Sequence, residues 1–382
     1  MEKLVKINAY ENEVYGYPIY ITSDLAALHP LLKDEFQGFS TVVIFQDSFL
    51  VDFDVHKEVV SQIQSSLNDE NKSLYHYELK AGKESKNITT FMRISSWLVE
   101  KNIQRDAVFI AIGGGVVGDL VGFLSSTYYR GVSLVHIPTN VLSMCDSCIG
   151  GKTAINTSNH VNTLGTYKHP LFTLMYTRYL AKLTKREFAA GFSEIIKISF
   201  LKDGSLLDLI CEISDVSDLI NKDEIFINIL AEAIRYKLDI TSGDIEESEK
   251  RLYLNFGHTF AHAIESVQDL SKEEYYRHGE AVALGITAAS RVSDHLFGTN
   301  LFENVTTLLT KFNLPTKLSE NYLNYTNFGS ETDLFEKFIY LCLRDKKGKG
   351  GMLRLILLKD GKPFIYKTKD LNLLRIGFQS IL

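Results

Sequence analysis

Residues 107–123 read AVFIAIGGGVVGDLVGF, an apolar run that closes on three glycines and reopens into a helix-forming stretch. An unbroken apolar run is the mark of a strand buried on both faces, as in a parallel sheet covered by helices. Two further runs have the same character, Thr41–Phe45 and Val132–Ile137, and residues 86–103 carry a helix-like pattern. Strands alternating with helical crossovers predict an α/β unit around a parallel sheet. Gly113–Gly118 fits the spacing GxGxxG at the end of a predicted strand. Such a turn lets backbone approach a phosphate, and the following helix N-terminus favours an anion. The acidic residue usual about 20 positions further on is missing, since residues 130–140 hold no Asp or Glu. A nucleotide site and a plain tight turn both fit. Asp119 reads either as a first-turn carboxylate or as a group reaching a nucleotide hydroxyl.

Working outward, the pattern changes at about Thr184. Helical periodicity dominates from there, and strand signals are scarce until Met352–Leu358. The expected organisation is an α/β, Rossmann-like nucleotide-binding domain over 1–178 and a mostly α-helical, metal-binding domain over 179–382. Segments 155–163 and 346–351 read as loops. The length of 382 residues suits two to three domains. With 47 acidic against 41 basic residues and no long Lys/Arg block, the chain is a poor nucleic-acid or membrane-surface binder. No apolar run approaches a membrane span, and the N-terminus lacks a signal-peptide core. Four cysteines make no disulfide framework, so the expected compartment is the cytoplasm.

Some local motifs are weak. Gly150-Gly151-Lys152-Thr153 invites a P-loop reading, but position 146, where that motif needs glycine, is Asp. Cys145-Asp146-Ser147-Cys148 has CxxC spacing without a second pair, and its simplest reading is structural. The segment 255–265, NFGHTFAHAIE, carries more. On a helix His258, His262 and Glu265 fall within about 60° of arc. Two imidazoles one turn apart suit Zn²⁺, and His278 adds a third. Spacing alone leaves the ligand set open.

Charges also occur where apolar residues belong. The stretch 187–201 is apolar nearly all round, yet it holds Glu194 and Lys197. Lys237 falls on the stripe of Phe226, Leu230 and Ala233. A charge taken from water is costly unless paired or bound to a metal or ligand. A buried salt bridge, or a lysine reaching the surface, is the simpler reading. With Arg130, Lys152, Arg251 and Lys346-Lys347, converging cations would suit a small, multiply anionic substrate.

Taken together, GGGVVGDLVGF (113–123), YYRGVSLVHIPT (128–139), DSCIGGKTAIN (146–156), AAGFSEIIK (189–197), RLYLNFGHTFAHAIE (251–265), HGEAVALG (278–285) and RDKK (344–347) resemble the 3-dehydroquinate synthases, within the sugar phosphate cyclases. The resemblance spans about residues 40–355. It implies NAD⁺ bound through Gly114, Gly115, Asp119, Thr139, Asn140 and Lys152. It implies zinc, with cobalt as a substitute, on Glu194, His258 and His278, and makes His262 a catalytic histidine that does not ligate. Arg130, Asp146, Lys152, Asn162, Lys197, Lys237, Arg251, Asn255 and the Lys346/Lys347 pair match substrate-binding and catalytic positions. The implied substrate is 3-deoxy-D-arabino-heptulosonate 7-phosphate, and the implied assembly a homodimer. The implied step belongs to the shikimate pathway of aromatic amino acid biosynthesis. A sister cyclase and a metal-dependent polyol dehydrogenase are the competing readings. Two departures stand out: His160-Val161-Asn162, where Gly-Lys-Asn is frequent, and Asp244-Ile245, where Asp-Glu is usual.

Overall fold

The computed structural model describes residues 4–10, 16–67, 72–157, 160–202, 204–216, 219, 223–242, 250–268, 274–345 and 352–382, without the side chains of 344 and 345. In chain order the elements of the first half are β1 (Leu4–Ala9), β2 (Tyr17–Thr22), α1 (Leu28–Glu35), β3 (Thr41–Asp47), α2 (Asp54–Ser66), β4 (Ser73–Leu79), α3 (Ile88–Glu100), β5 (Ala107–Gly113), α4 (Gly115–Thr127), β6 (Ser133–Pro138), β7 (Lys152–Ile155), β8 (Leu164–Tyr167) and β9 (Phe172–Tyr176). The second half holds α5 (Lys185–Leu201), α6 (Ser205–Cys211), α7 (Asp223–Thr241), α8 (His258–Ser266), α9 (His278–Phe297), α10 (Leu301–Lys311), α11 (Glu331–Asp345), β10 (Leu353–Lys359), β11 (Lys362–Thr368) and α12 (Asn372–Gln379). The chain groups into two units, 1–183 with 220–238, and 184–219 with 239–382. Residues 220–238, most of α7, therefore pack with the first unit.

The first unit is built on a seven-stranded sheet in the order β1-β2-β9-β6-β5-β3-β4. Its strands pair in parallel except for β1 with β2. The unbroken apolar runs follow from that topology. In β5, Val108, Ile110 and Ile112 join one core layer with α1 and α2 residues such as Leu32 and Val59. Ala107, Phe109 and Ala111 join another with Ile94 of α3 and Leu120 of α4. Alternate residues thus bury on opposite faces, and neither face can be polar. Since β4 and β5 lie on opposite sides of β3, the strand order reverses there, and open α/β sheets bind ligands at such a point. The glycine turn sits there, at the end of β5.

The second unit is centred on α9. Gly279–Ser290 of this helix are all buried, and it packs against α5, α8, α10, α12 and β10. Its hydroxyls are buried because each bonds within the helix: Thr287 to the Ala283 carbonyl at 2.9 Å, and Ser290 to that of Ile286 at 2.6 Å. Helix α5 is buried continuously from Phe188 to Leu201, as an all-round apolar helix should be. It starts at a capping box in which Thr184 and Glu187 satisfy each other's backbone N–H. Among the described residues no helix is long and apolar enough to cross a membrane.

Burial holds the His136 imidazole of β6 down at about 4, against an ordinary value of 6.5. The folded chain resists protonation there while the unfolded chain accepts it. Its contribution is full above pH 6.5 and is lost as the pH falls from 6.5 to about 4, where it amounts to about 3 kcal/mol. Urea unfolding followed by Trp97, the only tryptophan, should show this acid loss in the first unit. His136→Gln should flatten the profile between pH 7 and 5. An unchanged slope would contradict the assignment.

Candidate metal and anion site

In the second unit three helices bring one ligand each to a common point. Glu194 comes from the middle of α5, His258 from the first position of α8 and His278 from the first position of α9. Their ligand atoms all lie within 4.8 Å of one another. Glu194 Oε1 stands 3.5 Å from His258 Nε2 and 3.4 Å from His278 Nε2. Tetrahedral zinc with bonds of about 2.1 Å needs ligand atoms about 3.4 Å apart, so the separations fit a shared cation. Both carboxylate oxygens are fully buried without a geometrically sound hydrogen bond. Lys197 Nζ approaches Oε2 to 2.5 Å as an ion, with both side chains almost completely buried. A carboxylate left so short of partners fits a metal ligand.

Protonation follows the same geometry. Burial would raise the Glu194 carboxyl, but Lys197 and the two imidazoles outweigh it and hold it well below the carboxylate range. Burial, then Lys197, keeps His258 well below its usual value and so neutral. Burial also pushes His278 down, but Glu265 and Glu194 overturn this and raise it to about 10. The imidazolium occupies charge space that a divalent cation would take. One carboxylate and two imidazoles make a donor set suited to zinc or cobalt.

The helices come this close because of Gly279. A Cβ there would lie 1.6 Å from the Ala190 carbonyl oxygen of α5, so any side chain collides with backbone. His262, one turn beyond His258, stacks edge-on to it at 5.4 Å between ring centres. It is outside the convergent set, which draws its third member from α9 instead. Arg251 is buried, and Asn255 lies just before α8.

In the first unit, the turn after β5 is tightly filled. A Cβ on Gly114 would lie 2.6 Å from Asn140 Nδ2, so a side chain there would have to displace the Asn140 amide. Asn140 Oδ1 accepts from the Ser143 backbone at 2.9 Å, and Thr139 N donates to the Gly113 carbonyl at 3.1 Å. Gly115 begins α4. Asp119 and Asn162 are joined by Lys86, whose ammonium donates to both carboxylate and amide oxygen. Lys86 carries no sequence signal of its own, being one lysine in a polar loop. Burial raises the Asp119 carboxyl, and Lys86 only moderates that. Lys237 on α7 donates to Asp146, 2.5 Å from Oδ1, so the buried lysine on an apolar stripe is paired with a half-buried carboxylate. Arg130 is exposed, in a strained run of positive φ at Tyr129, Arg130 and Gly131. Lys152 opens β7 after the tight turn Gly150-Gly151, whose Gly151 carbonyl accepts from Lys168 N at 2.7 Å. Cys145 and Cys148 are buried free thiols, and burial pushes Cys148 up to about 12, which keeps it protonated. Val161 is 74% exposed. Lys346, Lys347 and Ile245 lie outside the described residues.

The chain matches the family described as 3-dehydroquinate synthase, its N-terminal part over residues 76–190 and its C-terminal part over 191–348. The 3-dehydroquinate synthase of Clostridium tetani is 33% identical over 357 residues, covering 92% of this chain and 89% of its own length. That of Aliivibrio fischeri is 37% identical over 298 residues, 78% of each. Among solved structures, 2-epi-5-epi-valiolone synthase from Streptomyces hygroscopicus, with NAD⁺ and Zn²⁺ bound, has a TM-score of 0.78 at 23% identity and covers 96% of both chains. A 2-deoxy-scyllo-inosose synthase complexed with carbaglucose-6-phosphate, NAD⁺ and Co²⁺ has a TM-score of 0.76 at 22% identity over 99% of this chain and all of its own. Glycerol dehydrogenase from Schizosaccharomyces pombe is more distant, at 0.63 and 14%, over 99% of this chain and 90% of its own. These structures share the fold.

Proposed function

The chain belongs to the 3-dehydroquinate synthase family, and from that premise we propose that it converts 3-deoxy-D-arabino-heptulosonate 7-phosphate to 3-dehydroquinate and inorganic phosphate. The observation that carries this reading is the convergence of Glu194, His258 and His278 beside the buried Lys197. The reaction is redox-neutral overall, so the enzyme is a carbon–oxygen lyase that eliminates phosphate and closes a ring. NAD⁺ would supply a reversible hydride acceptor for the C5 position of the sugar, and zinc or cobalt on Glu194, His258 and His278 would supply Lewis acidity for the reacting oxygen.

The chain's own residues then have distinct tasks. Glu194, His258 and His278 would hold the metal. Gly114, Gly115, Asp119, Thr139, Asn140 and Lys152 would hold the dinucleotide, with Lys86 setting Asp119. Lys152, Arg130, Arg251 and Lys197 would bind the substrate's carboxylate and phosphate, which as dianion and acid need several fixed cations. Lys237 would hold the Asp146 carboxylate in place beside the substrate. Asn255, His262 and Asn162 would position hydroxyls, with His262 able to take or return a proton. In domain terms, 1–178 would serve NAD⁺ and 179–382 the metal.

The reading includes a homodimer, supported by exposed Ile88, Met92 and Val99 within about 40° of arc on α3. It also includes a cytoplasmic setting, supported by four free cysteines.

Purified protein given the heptulosonate phosphate, NAD⁺ and Zn²⁺ should release phosphate, form dehydroquinate and accumulate no NADH. No phosphate release from this substrate would end the reading. Release only from a different sugar phosphate would indicate a sister cyclase. Steady NADH from a simple polyol would indicate a dehydrogenase.

A further inference from the structure

Glu265 sits seven residues beyond His258, about 20° away on the same face of α8. The proposed reaction does not use it. Its two oxygens stand 3.2 and 3.3 Å from Nδ1 of His278, which belongs to another helix. We infer that Glu265 is a positioning residue for metal binding: it fixes the tautomer and rotation of the His278 ring so that Nε2 faces Glu194. The inference rests on reading Glu194, His258 and His278 as the metal set.

The argument is one of donors and acceptors. An ionised carboxylate only accepts, so Nδ1 of His278 carries the hydrogen. Nε2 is thereby the atom left facing Glu194 Oε1, another acceptor, at 3.4 Å. With a proton on Nε2 this contact is charge-assisted; a cation that displaces the proton takes its place between the two facing ligand atoms. Glu265 thus sets up a pair of ligands that a cation completes.

His258 shows how different the two imidazoles are. Its Nδ1 faces the Phe256 carbonyl, at 3.4 Å, a weak and neutral acceptor. But that ring is buried and wedged by its neighbours, whereas the His278 side chain is about a quarter exposed. Backbone contacts hold the approach to His278: Tyr276 N donates to Gln268 Oε1 at 2.9 Å, and Gln268 Nε2 donates to the Tyr276 carbonyl at 3.1 Å. They fix where α9 starts and leave the ring's two torsions free. Glu265 is the group acting on those torsions. Helix α8 therefore supplies one ligand and orients the other.

The test is a zinc titration of metal-free protein against a chromogenic chelator, with wild type, Glu265→Gln and Glu265→Ala. Glu265→Ala should bind zinc roughly 10–100-fold more weakly. Glu265→Gln should fall between, because its amide oxygen still accepts from Nδ1 without the charge. Excess zinc should restore turnover of Glu265→Ala, and its metal-free melting temperature should move less than its zinc-bound one. Equal zinc affinity for Glu265→Ala and wild type overturns the inference. So does an equal loss in both variants with an equal fall of metal-free stability, which is what a merely structural role predicts. Failure of wild type to bind zinc would instead remove the metal reading itself.

Discussion

His258→Ala is expected to abolish turnover and empty the metal site, whereas Lys152→Ala cuts turnover steeply with its metal intact. His258 contributes one of three ligand atoms, and its neutral, buried imidazole has no replacement nearby in the convergent set. Deleting it should weaken zinc by more than the ~10–100-fold cost of a lost outer contact. Lys152 belongs to the first unit and the three ligands to the second. Its place at the start of β7 is set by backbone, through pairing with Tyr167 and the bonded Gly150-Gly151 turn. Truncation therefore removes a charge and leaves the strand. Losing one partner of a charge-assisted contact costs about 2–5 kcal/mol, or about 30-fold to several thousand-fold in kcat/KM. Metal analysis after dialysis, beside steady-state kinetics, separates the two variants. Stoichiometric zinc in His258→Ala would show that the ligand set is wrong, and near-normal kinetics in Lys152→Ala would remove its proposed role.

The contrast between those residues also marks what the sequence could disclose. Strands β3, β5 and β6 were legible because double-sided burial forces largely apolar runs, interrupted in β6 by Ser133 and the buried His136, and their ends fall within two residues of those runs. Helix α5 was legible for the same reason, and its two charges stood out as anomalies that the structure resolves into a 2.5 Å ion pair. Helical spacing favoured His258 with His262, because i and i+4 always share a face. It could not favour Glu194 or His278, which come from other helices and meet His258 only after folding. Both stood out in the sequence, His278 as a third imidazole and Glu194 as a charge on an apolar helix, but their pairing with His258 as ligands entered through the resemblance. Lys86 stayed silent because its importance lies in bridging Asp119 and Asn162, residues far from it in the chain. The return of 220–238 to the first unit is silent too: an amphipathic helix records that it has a buried face, not which core receives it.

Gly279→Ala should cost both stability and metal, although the substitution adds a single methyl and improves helix propensity. In an exposed helix the change would stabilise by about 1 kcal/mol. Here the new Cβ would lie 1.6 Å from the Ala190 carbonyl oxygen, 2.4 Å from its carbon and 2.7 Å from Ser193 Oγ. A hydroxyl can rotate away, but a backbone carbonyl inside a buried helix cannot move without moving α5. Relief therefore means separating α9 from α5. Overpacking of this kind costs roughly 3 kcal/mol or more, about 6–12 °C in the melting temperature of a unit this size. The metal follows from position: Gly279 directly succeeds His278, and Glu194 is four residues beyond Ala190 on the helix that must retreat. The 3.4 Å approach of His278 to Glu194 is then lost first. Gly329→Ala, where nothing lies within 4 Å, serves as the control and should leave both quantities unchanged. Melting curves with and without zinc, beside chelator titration, read the two effects separately. If Gly279→Ala kept wild-type zinc affinity, the close approach of the helices would not be what assembles the site.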